Sequence, residues 1–183
     1  MKTQSRKSLL THLENRVEAH LRTVTASFQN LSEEQLLKPS TSGGWSIAQC
    51  LEHLNSYGRY YLPAIEQRIQ AAKDSISPDF KSSWLGAYFT RLMEPGKKSK
   101  AMKAPKEHVP PVHLDSAKVL AEFIDQQEML LRLLHAAADK DLNQIRVPIS
   151  IAKFIRLKLG DVFGFLVAHN ERHIQQALRN LNA

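Results

Sequence analysis

Apolar residues return every third or fourth position in four separate stretches of this 183-residue chain, and no stretch of useful length alternates strictly. Such a chain must form amphipathic helices that bury their stripes against one another. The first stretch covers residues 5–30, with Leu9, Leu10, Leu13, Val17, Leu21, Val24 and Phe28 on one face. Ser32 and Gln35 then have the spacing of a capping box and predict a short turn of helix before the Ser-Thr-Ser-Gly-Gly loop at 40–44. The second stretch opens at Ser46, with Gln49 as its capping partner, and runs to about Lys73 through Ile47, Leu51, Leu54, Tyr57, Tyr61, Ile65 and Ile69. Pro63 predicts a kink or break near Arg59–Leu62. The third covers 115–138, capped by Asp115, and the fourth covers 161–181.

Between the second and third stretches lie a turn-rich loop at 74–81, a short helix from Trp84 to Met93 stopped by Pro95-Gly96, and extended coil as far as Pro111. Asp139-Lys140-Asp141 and Pro148 break the last connection. The expected fold is therefore all-α: one domain over residues 1–183, a four-helix bundle with a long insertion between its second and third main helices.

The single cysteine, Cys50, cannot form an internal disulfide, which points to a reducing compartment. The first residues are polar and lack the apolar stretch of a secretory signal, and the run from Val162 to Ala168 is too short to cross a bilayer. The expectation is a cytoplasmic protein without membrane contact. The net charge is +7, and the excess gathers between Arg91 and Glu107 in Lys97, Lys98, Lys100, Lys103 and Lys106. Such a segment is either a solvated loop or one that attracts an anionic ligand or phosphate backbone. Few aromatic side chains stand near these lysines, and no helix-turn-helix or zinc-finger pattern occurs, so nucleic acid is disfavoured as a partner.

His169 and His173 stand four apart in the fourth stretch and so lie one above the other on a helix face that continues Val162 and Leu166 inward. Two neutral imidazoles at this spacing can share a metal ion. Asn170 stands where a zinc-protease motif would carry glutamate, which argues against peptidase chemistry. His53 sits at the border of the apolar face of the second stretch and can supply a third nitrogen, leaving an open coordination position of the reactive type. His12, His20, His108, His113 and His135 fall on polar faces, in coil or in isolation and are not expected to bind metal. Tyr57, Tyr60 and Glu52 lie near His53 in sequence and are candidates for proton transfer or for orienting the histidines, with ordinary packing as the competing reading. Cys50 reads as a small core residue, and Trp45 as a packing anchor at the helix entrance rather than a substrate contact.

Taken together, Trp45-Ser46-Ile47, Leu51-Glu52-His53-Leu54 and His169-Asn170-Glu171-Arg172-His173-Ile174-Gln175-Gln176 resemble the DinB-like family of small metal-binding helical bundles. Lys103-Ala104-Pro105-Lys106 resembles a further recurring element there. The resemblance implies a four-helix bundle with one divalent ion (nickel, zinc or iron) on His53, His169 and His173. Some relatives are transferases that join a low-molecular-weight thiol, such as bacillithiol or mycothiol, to an electrophile. On that pattern Lys103 and Lys106, with the neighbouring lysines, would steer an acidic thiol cofactor to the metal. The expected function is a metal-dependent enzyme acting on a small molecule, a thiol S-transferase or a hydrolase. The alternative is a non-enzymatic stress-response module that contacts nucleic acid or an acidic partner through its basic insertion. A two-fold homodimer is expected, since bundles of this size often bury a leftover apolar face by pairing.

Overall fold

The computed structural model describes residues 3–41, 43–96 and 102–181. Lys97, Lys98 and Lys100 of the basic segment lie outside the described residues. Strand β1 (Thr3–Ser5) leads into α1 (Arg6–Phe28), followed by the short α2 (Glu33–Leu37), α3 (Ile47–Ala71), β2 (Asp79–Lys81) and α4 (Trp84–Met93). A single 3-10 turn at Lys106–His108 precedes α5 (Ser116–Ala136), the hairpin β3 (Arg146–Ile149) and β4 (Ala152–Lys158), and α6 (Leu159–Leu181). Among the described residues no helix is long and apolar enough to cross a membrane.

Local chemistry sets the helix starts. Both expected capping boxes form: the hydroxyls of Ser32 and Ser46 accept from the amides of Gln35 and Gln49, whose side chains return the bond to the cap amides. Asp115 caps α5 through the Lys118 amide. Helix α3 runs unbroken through Pro63. The proline sits on the solvent face, where water can take the carbonyl that loses its intrahelical donor.

Helices α1, α3, α5 and α6 form the four-helix bundle. Helices α1 and α3 are diagonal, each packed on both α5 and α6, while α4 lies against the outside of α6. Gly86 permits that approach, since a Cβ there would stand 2.1 Å from the Asp161 carboxyl carbon. Asp161, buried at the start of α6, accepts from the Ser82 hydroxyl and from the Ser83 amide and hydroxyl, at 3.0 and 2.6 Å for the last two. These bonds fix the entry of α4.

Two strand ribbons depart from the purely helical expectation. The loop at 74–81 ends in β2, which pairs antiparallel with β1, and the last connection folds as the β3–β4 hairpin, with Val147 opposite Leu157. Val147, Ile149 and Leu157 point inward, so the inward-outward alternation exists, but in runs too short to register against the helical signal. Pro148 is tolerated because a two-stranded ribbon leaves each strand one outward edge.

The apolar core is divided in two. One cluster holds Leu13 and Val17 of α1, Ile65 of α3, Leu130 and Leu134 of α5 and Phe163 of α6. The other holds Val24 and Phe28 of α1, Ile47 and Leu51 of α3, Phe123 of α5 and Ile174 of α6. Between them every bundle helix contributes buried polar groups: His20 from α1, His53 and Asn55 from α3, Gln127 from α5, and His169 and Asn170 from α6. Within this belt the Asn170 amide donates to Gln127 Oε1 at 3.0 Å, and the Asn55 amide to the Val119 carbonyl at 2.9 Å. A polar layer through a bundle core is costly unless its members are partnered. Here it frames the site.

Candidate metal centre

His53, His169 and His173 converge in the polar belt, each offering a ring nitrogen within 4.8 Å of the others. The pairing of α3 with α6 brings the first to the other two. His53 Nε2 stands 3.1 Å from His169 Nε2. Two nitrogens each 2.0–2.1 Å from one tetrahedral ion stand about 3.3 Å apart.

The protonation pattern suits a metal. His53 Nδ1 lies 2.7 Å from the His108 carbonyl oxygen. A carbonyl only accepts, so Nδ1 carries the proton and Nε2 keeps its lone pair. His173 Nδ1 donates to Gln176 Oε1 at 2.9 Å by the same logic. Two facing Nε2 atoms, one of them necessarily a lone pair, must share a proton or a cation. Burial lowers the pKa of His53 to about 4 and, with the nearby His53 and arginine charges, that of His173 to about 3. Burial also holds His169 well below its ordinary value, so all three rings are neutral at pH 7. Neutral imidazoles are the form that ligates metal, and the residues present therefore fit a divalent ion.

These shifts carry a sign. Above about pH 6.5 the three rings are neutral in the folded and unfolded chain alike. As pH falls below that value the unfolded chain takes up protons that the folded one refuses, so stability is lost progressively towards pH 4. The Glu171 carboxyl, held down to about 2 by His20 and Arg16, contributes acid loss only below its free value of 4.5. Thermal unfolding of metal-free protein should therefore show a midpoint that drops between pH 7 and pH 5. A flat profile over that window would mean that these rings are not buried in neutral form.

His108 stays outside the histidine cluster, as expected, but it is not isolated in coil: it ends the 3-10 turn. It is buried, and a closed ring of bonds ties it to His53. The Ser56 hydroxyl donates to the His53 carbonyl at 2.7 Å, His108 Nδ1 donates to Ser56 Oγ at 2.8 Å, and the His108 carbonyl accepts from His53 Nδ1. His108 Nε2 meets the Ser150 hydroxyl at 3.0 Å, and its ring stacks on Tyr57 at 3.8 Å between centroids. The insertion is thereby pinned to α3 and to the β3–β4 hairpin, and its carbonyl orients the first histidine. His108→Ala should weaken metal affinity by about 10- to 100-fold, the range for losing a group that orients a ligand. Competition with a chelator measures this. An unchanged affinity would show that His53 holds its orientation without the turn. His20 is likewise buried rather than on a polar face, 3.8 Å from Glu171.

The three histidines open on a cavity of about 1080 Å³. Tyr57 lines it, with its ring edge-on to His169 at 4.5 Å. Trp45 lines it too, packed on His53 at 4.9 Å, so this residue anchors the helix entrance and also faces the cavity. Lys103 reaches it from the insertion, whereas Lys106 is exposed and is not among the lining residues. The structure does not bring Glu52 or Tyr60 to the cavity. Glu52 receives two bonds from Arg59, at 2.8 and 3.0 Å, on the face towards α5. Tyr60 stands two turns beyond His53 under the hairpin, with its hydroxyl 3.4 Å from the Ile149 carbonyl. Cys50 is fully buried, and burial pushes its thiol up to about 12, as befits a core residue. Arg172 and Arg179 of α6, which sequence reasoning passed over, both line the cavity. Their seven-residue spacing on the histidine helix was the available signal.

Comparison with known proteins agrees with this architecture. The family model described as the DinB superfamily matches residues 16–177. Among solved structures, YfiT from Bacillus subtilis, described as a probable metal-dependent hydrolase with an unusual four-helix bundle topology, superposes with a TM-score of 0.60. It is 16% identical, and the match covers 94% of this chain and 86% of that one, a likeness that speaks to the fold. No curated protein matches.

Proposed function

The chain belongs to the DinB superfamily, and from that premise we propose that it is a metal-dependent enzyme that transfers a low-molecular-weight thiol to a small electrophile. The observation that carries this reading is the convergence of three buried, neutral imidazoles on an open cavity that no Asp or Glu lines among the described residues. A hydrolase commonly needs a carboxylate or a free histidine to move the proton of water, and the lining supplies neither. A thiol asks less of the protein, because its proton is lost once its pKa falls. His53, His169 and His173 would hold a divalent ion, which would supply Lewis acidity and lower the pKa of a bound thiol or water.

The chain's own groups do the rest. His108 and Gln176 keep the protons of His53 and His173 on Nδ1, so that both Nε2 lone pairs face inward. Tyr57 floors the cavity beside His169, and burial keeps its phenol protonated, so it presents a neutral hydroxyl to a substrate. Lys103 and the two α6 arginines make the mouth attractive to an acidic thiol. Hydrolysis stands as the second reading because the YfiT description names it for a protein of this fold.

The test uses metal-loaded protein with a thiol and a model electrophile, and in parallel with a model ester and no thiol. Thiol conjugation well above that of the His53→Ala, His169→Ala double variant supports the transferase. Ester turnover alone would favour the hydrolase, and equal rates for both proteins in both assays would remove the enzyme reading.

A further inference from the structure

The cavity is not uniform along its length. Its α6 wall runs from Phe165 to Asn180, and fifteen residues of helix span about 22 Å. The three histidines stand near the middle. On the Phe165 side the walls are apolar, formed by Tyr61 and Phe89, whose rings lie 6.0 and 6.4 Å from that of Phe165, and by Leu157 just before α6. On the opposite side, beyond His173, they are polar and positive, with Gln176, Arg179 and Asn180 on α6 and with Ser40, Thr41, Gly43 and Gly44 also in the lining. Asn180 closes that end by donating to the Trp45 carbonyl at 2.8 Å. Every charged side chain among the described lining residues is a cation: Lys103, Arg172 and Arg179.

Nearby acids are turned away. Glu171, beside Arg172 in sequence, is bound by Arg16 at 2.6 Å, and Glu94 by the same guanidinium at 2.9 Å. Glu52 is held by Arg59. Glu107, beside His108, acts electrostatically on Tyr57 from outside the cavity. A divalent ion on three neutral ligands would add two further positive charges, with no carboxylate among the described lining residues to offset them. A partly enclosed cavity with that balance selects an anion.

We propose that the cavity takes an amphipathic organic anion laid lengthwise, with a carboxylate towards Arg179, Arg172 beside the histidines, and an apolar body against Phe89 and Phe165. The reacting bond then lies at the histidine waist. This rests on reading the cavity as the active site, and it adds the substrate's chemical class and its direction. Seven residues separate the two arginines, which places Arg179 on the same helix face about 10.5 Å beyond Arg172, at the end away from Phe165.

Octanoate, octanamide and acetate are the probes, titrated by calorimetry into metal-loaded and metal-free protein whose metal content is measured in the same samples. The expected result is that octanoate binds at least about tenfold more tightly than either of the others, with or without metal. The Arg172→Gln, Arg179→Gln double variant should lose about tenfold or more for octanoate and little for octanamide. The single Arg179→Gln change, at an exposed position, should move the same way and guards against misfolding of the double variant. Equal binding of octanoate and octanamide would overturn the proposal. So would octanoate binding that vanishes with the metal and ignores both arginines, because the carboxylate would then sit on the ion. A protein that binds no metal but keeps the arginine-dependent preference would sink the metal reading and leave this one standing.

Discussion

His169→Ala should abolish metal binding, taking the protein from about one ion per chain to background by elemental analysis. Two ligands on separate helices then remain, and the pair that approached to 3.1 Å is gone. Losing a ligand should exceed the 10- to 100-fold penalty for losing a group that merely orients one. The same change has a thermal signature. An ion present at a hundred times its dissociation constant stabilises the folded wild type by about 2.7 kcal/mol, and the variant should show no such gain. His169 Nδ1 has no hydrogen-bond partner among the described residues, so the substitution strands no partner on that side of the ring. Circular dichroism should remain helical. Retained stoichiometry in a folded variant would remove the three-nitrogen site.

Phe163→Ala should cost about 3–5 kcal/mol, measured by urea unfolding of metal-free protein. The ring is fully buried in the cluster shared by all four bundle helices. For a domain whose whole stability is of order 5–15 kcal/mol, that loss is large. Phe165→Ala, two residues on and about 200° around the helix, should cost less. That ring stacks on His169 at 5.5 Å and already faces the cavity, so truncation enlarges a space that exists instead of opening a void. Equal losses at the two positions would mean that the cavity face of α6 is packed as tightly as its core face.

Much of this was legible from order along the chain. A helix repeats every 3.6 residues whatever it packs against, so Leu13, Val17, Val24 and Phe28 announce a buried stripe, and Ser46 with Gln49 announces where α3 begins. His169 and His173 share one helix, and their spacing alone puts them on one face. His53 was within reach because it borders an apolar stripe. Glu52 and Tyr60 were drawn in by nearness in sequence, which misleads on a helix: one residue is about 100° of rotation, and seven residues are two turns of translation. Glu52 consequently meets Arg59, and Tyr60 meets the hairpin.

What the sequence by itself determined is the set of helices, their capped starts, their buried faces and two of the three converging imidazoles, because each follows from contacts within a few residues. Only the tertiary structure decided that α1 and α3 stand diagonally, that a polar belt splits the core, that His108 closes a ring of bonds onto His53, and that Arg172 and Arg179 share a cavity with an apolar far end. Those facts join residues tens of positions apart. Backbone periodicity carries no information about which stripe meets which, and that choice is made by the packing of all four helices at once.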